Sequence, residues 1–231
     1  MKILVLLSGG VDSSTCLALA VNKYGNENVV ALSSYYGQKH TKELESARKI
    51  ANYYKVELIE MNLAKIFAYS DCSLLSHSDK DIPQGTYDEQ LKNSDSEVIS
   101  TYVPFRNGLF LSTAASIALS KNCDIIYYGA HSDDVAGNAY PDCSFEFNES
   151  MNLAIWLGSG KKVKIEAPFV GLHKSDIVKK GLELNLPYEL TWSCYEGEEY
   201  SCGKCATCID REKAFLINNS VDPLVKIREA K

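Results

Sequence analysis

The chain alternates between short apolar runs and stretches in which apolar residues recur every three or four positions. A continuous apolar run predicts a strand covered on both faces, whereas the wider spacing predicts an amphipathic helix. The predicted strands cover residues 3–7, 29–32, 56–61, 124–128 and 163–167. The predicted helices are one that ends at Gly25, followed by 41–55, 107–120, 147–157 and 174–184.

Strands that alternate with helices in this way predict an α/β fold, doubly wound, with a mostly parallel five-stranded sheet. Two segments interrupt the alternation. Residues 76–100 are polar, and long loops of this kind often form lids or lack regular structure. Residues 191–210 carry a cluster of cysteines. We therefore expect a main domain over 1–190 and a C-terminal four-cysteine segment of helix and loop over 191–231, packed on it.

Composition and charge exclude several classes of protein. The 231 residues are 45% hydrophobic and 23% charged, as in ordinary globular proteins. The formal net charge of −6 argues against a broad electrostatic grip on nucleic acid. No apolar stretch approaches the roughly 20 residues needed to cross a bilayer, and the run at 3–7 is too short for a signal peptide. We expect a cytoplasmic protein with no membrane partner.

A glycine-rich loop follows the first predicted strand and precedes the first helix. Its glycines permit a tight turn, its hydroxyls can donate to phosphate, and a helix N-terminus favours anions. A Walker loop would need a lysine and a dinucleotide loop a third glycine, and both are missing. Asp12 would repel phosphate unless Mg²⁺ intervened. The alternative is a plain strand-to-helix turn capped by Asp12 or Ser13. The predicted nucleotide-binding residues are Ser8, Gly9, Gly10, Val11, Asp12, Ser13 and Ser14.

Four of the eight cysteines fall within fifteen residues. They are Cys194, Cys202, Cys205 and Cys208. Four thiolates can close a tetrahedral shell around one structural Zn²⁺, which leaves no coordination position open for catalysis. An iron–sulfur cluster and a redox pair are the competing interpretations. We favour one structural zinc ion per chain.

Several motifs resemble those of known enzymes. Ser8-Gly9-Gly10-Val11-Asp12-Ser13 resembles the SGGxDS loop of the PP-loop ATP pyrophosphatases. Four further motifs occur in the order YGQKH at 36–40, VPFRN at 103–107, YPDC at 140–143 and TWSCY at 191–195, the last leading into CGKCATC at 202–208. Together they resemble the QueC (ExsB) family of 7-cyano-7-deazaguanine synthases, from about Ile3 to about Phe215. Two positions depart from many relatives: Ser144-Phe145 after YPDC, and Phe105 where many have glycine.

The resemblance implies an adenine nucleotide alpha hydrolase-like fold and a ligase reaction. ATP with Mg²⁺ would adenylate the carboxylate of 7-carboxy-7-deazaguanine, and ammonia would convert it to an amide. A second adenylation, on the amide oxygen, would give the nitrile and release AMP, with pyrophosphate released at each activation, in queuosine or 7-deazapurine biosynthesis. Little chain remains for a glutaminase domain, so we expect ammonia to be free or delivered by a partner.

Site roles follow from the same resemblance. Asp12 is the predicted catalytic carboxylate of the loop, and Lys174 matches the lysine of the superfamily's P-x5-K signature, which begins at Pro168. Arg106, at a helix start, is a second predicted cation that can bind phosphate or a carboxylate bidentately. The predicted substrate-binding residues are Gln38, Asn107 and Asp142. Each of these residues could instead be a local cap or an exposed helix-start residue.

Two other functions are compatible with parts of the pattern. One is a different PP-loop enzyme, which adenylates a tRNA base for thiolation or a small acid for amidation. The other is a non-catalytic module whose four-cysteine site docks a nucleic acid or a protein. Our expected partners are the small-molecule substrates, without direct nucleic acid contact, and a homodimer is the candidate assembly.

Overall fold

The computed structural model describes residues 1–92, 99–133, 139–197 and 199–230. In it, five parallel strands form one sheet in the order β3-β2-β1-β4-β5. The strands are β1 (Ile3–Leu6), β2 (Val29–Tyr35), β3 (Glu57–Asn62), β4 (Ile125–Tyr127) and β5 (Lys164–Glu166). The register places Ile3 of the central strand between Val29 and Ile125. The predicted parallel α/β sheet is confirmed.

Eight helices are described, and the five that were predicted have ends within two residues of the prediction. They are α1 (Val11–Tyr24), α2 (Lys42–Tyr54), α3 (Tyr87–Lys92), α4 (Arg106–Ser120), α5 (Phe145–Gly158), α6 (Lys174–Glu183), α7 (Ala206–Ile217) and α8 (Pro223–Glu229). Helix α3 lies in the segment 76–100, for which the polar composition predicted a loop. Residues 93–98 of that segment lie outside the described part of the chain.

Both faces of the sheet are covered, because the central strand alternates its side chains between two cores. Ile3 and Val5 pack in one core with residues of α1, α2, α6 and α7. Leu4 packs in the other with residues of α4 and α5. Such burial explains why β1 reads as a continuous apolar run.

Strand β2 extends three residues beyond its predicted end. Ser33, Ser34 and Tyr35 pair with β3 through their backbones, so their side chains need not be apolar. Ser33 and Ser34 line the cavity described below. The hydrophobic pattern therefore predicted the end of β2 too early, because the last residues of this strand face a polar site.

A buried charge pair lies within the C-terminal segment, and its arginine also reaches the carbonyl of Tyr188 in the preceding part of the chain. Arg211 of α7 donates from Nε and Nη2 to the two carboxylate oxygens of Asp222, at 2.7 and 2.9 Å. It also donates to the hydroxyl of Thr191 and the carbonyl of Tyr188. The division at residue 190 stays a prediction. Among the described residues, no helix is both long and apolar enough to span a membrane.

Candidate active site

The glycine-rich loop connects β1 to α1 at the carboxyl end of the sheet. Helix α1 begins at Val11, with Gly10 as its N-cap residue. Its first backbone N–H groups have no acceptor within the helix, as at any helix start. The hydroxyls of Ser8 and Ser13 lie 3.0 Å apart, and the Ser8 N–H donates to the Ser13 hydroxyl at 3.1 Å. The loop thus presents N–H and hydroxyl donors to an anion.

Gly9 is required by packing. Its φ of +88° is in the left-handed region that favours glycine. A Cβ atom at this position would lie 2.6 Å from the backbone nitrogen of Ala47, closer than real Cβ contacts allow. Gly10, by contrast, has a φ of −78°, and the atom nearest to an added Cβ would be 3.5 Å away.

Lys174 and Asp12 are brought together beside the loop. The Lys174 ammonium donates to Oδ2 of Asp12 at 2.6 Å, and both side chains are largely buried. Burial alone would raise the pKa of Asp12, but Lys174 and His131 outweigh it and hold the pKa below the ordinary value. Oδ1 of Asp12 is buried and has no hydrogen-bond partner among the described residues. An oxygen of this kind fits the ligand preference of Mg²⁺.

A short network holds the lysine in place. The Lys174 backbone N–H donates to Oδ2 of Asp133 at 2.7 Å, while Oδ1 of Asp133 lies 2.7 Å from Nδ1 of His173. His131, to which we assigned no role, is buried with Nε2 3.8 Å from Oδ2 of Asp12 and 3.5 Å from the Lys174 ammonium. Its position after the fourth predicted strand placed it at the carboxyl edge of the sheet, but a lone histidine is more often structural, so no role in proton transfer was predicted for it.

A cavity of about 210 Å³ opens beside the loop. It lies at the carboxyl ends of β1, β2 and β4, where ligands bind in doubly wound sheets. The loop contributes Ser8, Gly10, Asp12 and Ser13 to its lining, and Lys174 lies there too. Gly9, Val11 and Ser14 are not part of the lining.

The opposite wall is aromatic and carries one cation. The Arg106 guanidinium lies over the Tyr36 ring, 5.1 Å from its centroid. The Tyr195 hydroxyl lies 3.2 Å from the hydroxyls of both Tyr87 and Tyr140. All five residues line the cavity. Planar rings beside a guanidinium can hold a flat ligand that carries a carboxylate.

The three predicted substrate-binding residues occupy different places. Gln38 and Asn107 line the cavity, and the Gln38 side-chain oxygen accepts from the Tyr36 backbone N–H at 3.0 Å. Asp142 is not part of the lining. Its carboxylate accepts from the backbone N–H of Asn107 at 2.9 Å, at the start of α4, and burial raises its pKa. A substrate contact for each residue stays a prediction.

Sequence reasoning missed Glu43, which lies in the first turn of α2 and lines the cavity. Burial raises the pKa of its carboxyl from an ordinary 4.5 to about 7, although the Arg106 guanidinium opposes the shift. In the sequence it is a glutamate in the first turn of an amphipathic helix, where an acidic side chain is expected because it interacts favourably with the helix dipole. The tertiary structure alone places it at the cavity.

The four clustered cysteines converge. Their sulfur atoms all lie within 4.8 Å of one another, and those of Cys202 and Cys208 are 4.0 Å apart. Hydrogen bonds from the Cys194 and Cys208 thiols lower the pKa of Cys205. The backbone N–H groups of Cys202 and Cys205 point at the sulfurs of Cys194 and Cys202, both at 3.3 Å. Ligands at about 2.3 Å from one tetrahedral ion would lie about 3.8 Å apart, so the cluster can hold a single metal ion.

Comparison with known proteins agrees with the motifs and the geometry. The family described as "Queuosine biosynthesis protein QueC" matches residues 2–219. A 7-cyano-7-deazaguanine synthase from Archaeoglobus fulgidus is 40% identical over all of this chain and 92% of its own. The one from Pseudoalteromonas atlantica is 44% identical over 96% of this chain and 97% of its own.

A solved structure shares the fold. NMN synthetase from Francisella tularensis superposes with a TM-score of 0.54 at 15% identity, covering 95% of this chain and 77% of that one. At that identity the likeness concerns the fold alone. The match of the family over most of the chain, together with relatives above 40% identity, shows that the chain belongs to the QueC family.

Proposed function

We propose that the protein converts 7-carboxy-7-deazaguanine and ammonia to 7-cyano-7-deazaguanine with ATP, through an adenylated carboxylate and an adenylated amide. The observation that carries the proposal is one cavity that joins an anion-binding loop to a wall of aromatic rings and a guanidinium. The names of the relatives support the same reaction.

The loop end of the cavity suits the pyrophosphate of ATP. The first N–H groups of α1 and the hydroxyls of Ser8 and Ser13 donate to its oxygens, and this leaves the α-phosphate toward the cavity. The ammonium of Lys174 stabilises charge that develops on the α-phosphate. Oδ1 of Asp12 would hold a Mg²⁺ ion that binds with ATP, and the ion would supply positive charge next to the phosphates.

The opposite wall suits the acceptor. Arg106 pairs with the substrate carboxylate, and the rings of Tyr36 and Tyr195 enclose the deazapurine. A carboxylate oxygen leaves only after activation, and so does the amide oxygen. One nucleotide site therefore serves both activations, with AMP as the leaving group each time, and catalysis is mainly positioning and charge stabilisation.

Incubation with ATP, Mg²⁺, ammonia and 7-carboxy-7-deazaguanine, followed by mass spectrometry, tests the proposal. We expect AMP, pyrophosphate and the nitrile, and we expect Asp12→Asn to form little AMP while it stays folded by circular dichroism. A folded, metal-loaded protein that forms neither AMP nor nitrile would contradict the reaction. AMP formation that depends on tRNA or on another acid would indicate a different PP-loop enzyme.

We further propose that the four cysteines hold one structural zinc ion. The sulfur atoms are close enough to share one ion, whereas the ligands of a four-iron cluster bind separate irons and lie farther apart. Elemental analysis should find about one zinc per chain. Iron with visible absorption would show a cluster instead.

A further inference from the structure

Glu43 lies between the loop and the Arg106 wall. Its helical turn packs against the loop, because its backbone oxygen is among the nearest atoms to an added Cβ at Gly9. Its side chain lines the cavity and interacts electrostatically with Arg106. The described residues form neither a hydrogen bond nor an ion pair within 4.0 Å with its carboxylate. This acidic group is therefore held at the cavity by the helix and left open to a ligand.

The charged and titratable groups that face Glu43 are few. Arg106 of α4 favours the carboxylate, and the Tyr36 phenol after β2 is the other neighbour with which it interacts. Burial dominates, so the pKa of about 7 lets the group gain and release a proton near neutral pH. Asp12 cannot serve in this way, since its pKa is low and its Oδ2 is paired with Lys174.

The proposed reaction needs a proton acceptor at nitrogen three times, because ammonia carries three N–H protons and the nitrile carries none. In the first half, the ammonia nitrogen bonds to the carbonyl carbon of the acyl adenylate. The carbon–oxygen bond to AMP breaks, and the nitrogen must lose a proton to become an amide. In the second half, the amide nitrogen gives up one proton when the amide oxygen bonds to the α-phosphorus and pyrophosphate leaves. The adenylated imidate then loses its last N–H proton as the carbon–oxygen bond breaks and the nitrile forms. In both halves the electron pair of the broken bond leaves with AMP.

We propose that Glu43 is the catalytic residue that accepts these protons, an inference that rests on the proposed function. The carboxylate takes each proton from nitrogen and passes it to solvent before the next proton is lost. Adenylation itself, which occurs between the acid and the α-phosphate, does not require it. Loss of Glu43 should therefore separate adenylation from the steps at nitrogen.

The Glu43→Gln variant tests this separation, with Glu45→Gln on the exposed side of the same helix as the control. Pyrophosphate exchange into ATP with 7-carboxy-7-deazaguanine reports the first adenylation. We expect Glu43→Gln to keep exchange within a few fold and to lose amide formation by about 100-fold or more. The same loss is expected for nitrile formation when the 7-carboxamide is supplied. Glu45→Gln should match the wild type in every assay.

A second nucleophile distinguishes a base from a structural residue. Hydroxylamine is largely unprotonated at neutral pH, and its adduct gives its proton readily to water. We therefore expect Glu43→Gln to form the hydroxamate from the acyl adenylate at close to the wild-type rate. At a constant concentration of free ammonia, amide formation in the wild type should rise with pH through about 7, and this rise should be absent in the variant.

Each other outcome overturns the proposal. If exchange falls with amination and the KM for the acid rises, Glu43 binds the deazapurine edge. If amination is unchanged in Glu43→Gln, another group accepts the proton. If hydroxylamine does not restore the reaction, the variant has lost positioning of the adenylate. Failure of the wild type to exchange pyrophosphate with this acid would instead contradict the proposed function.

Discussion

The backbone N–H of Trp192 donates to the carbonyl oxygen of Gly9 at 2.9 Å. This bond joins the start of the four-cysteine segment to the middle of the glycine-rich loop. Two residues further on, Cys194 is one of the four clustered cysteines, and the Trp192 indole N–H donates to its carbonyl at 2.9 Å. The cysteine cluster is therefore connected to the nucleotide loop by two hydrogen bonds in series.

Removal of the metal should consequently weaken ATP binding. Loss of a hydrogen bond worth about 0.5–1.5 kcal/mol corresponds to a roughly two- to tenfold rise in Kd. Titration calorimetry with ATP before and after chelation measures it, with metal content followed by elemental analysis. Restoration of the affinity by Zn²⁺ is the control, and unchanged affinity in the stripped, folded protein would contradict the coupling.

The two adjacent glycines should respond differently to alanine. Gly9→Ala places a Cβ at a left-handed position against the backbone of Ala47, so we expect a loss of about 1–3 kcal/mol in the free energy of unfolding. Gly10→Ala has room in the fold, but its methyl group would occupy the approach of the pyrophosphate. Urea unfolding and ATP binding separate the two effects. Equal stability losses in the two variants would contradict this assignment.

Lys174 should be essential for AMP formation. Lys174→Ala removes the ammonium that pairs with Asp12 and faces the cavity, and we expect pyrophosphate exchange to fall about 100-fold or more. The matched control is Lys180→Ala, on the same helix, which removes an exposed lysine paired with Glu183 at 3.1 Å. A similar rate of exchange in both variants would remove Lys174 from the mechanism.

Glu43 should reduce the stability of the ligand-free protein at alkaline pH. Its pKa is raised on folding, so the native state binds the proton more tightly than the unfolded chain. Its contribution to stability is complete below about pH 4.5 and is lost as the pH rises to about 7. Glu43→Gln should therefore raise Tm relative to wild type more at pH 8 than at pH 4.5. Glu45→Gln should show no such pH-dependent gain.

Phe105 is one of the positions at which this chain departs from the pattern of the family it resembles. The resemblance to the QueC family implies glycine at this position, and Phe105 has a φ of +54°, in the left-handed region that favours glycine. Its ring is exposed and packs against Phe147 with centroids 5.8 Å apart, outside the lining of the cavity. The departure therefore lies at a helix start, outside the lining of the cavity.

The local sequence pattern was sufficient to predict the fold class and to identify the family. Apolar runs and helical spacing predicted all five strands and their order of alternation with helices. This was possible because the spacing of apolar residues within each strand or helix shows which of its faces is buried. The motifs at 8–13 and 194–208 are contiguous or nearly so, and their geometry depends mainly on the local backbone. Lys174 lies far from the glycine-rich loop in the sequence, and only the superfamily's P-x5-K signature identified it as a site residue.

Tertiary structure decided which side chains meet. The approach of Glu43 to Arg106, of His131 to Asp12, and of Trp192 to Gly9 joins elements that are far apart in the sequence. Glu43 and His131 belong to none of the recognised motifs, since a glutamate in a first helical turn and a lone histidine are common on their own. Their roles arise because parallel strands end at one edge, so that the loops after β1, β2 and β4 meet around a single cavity.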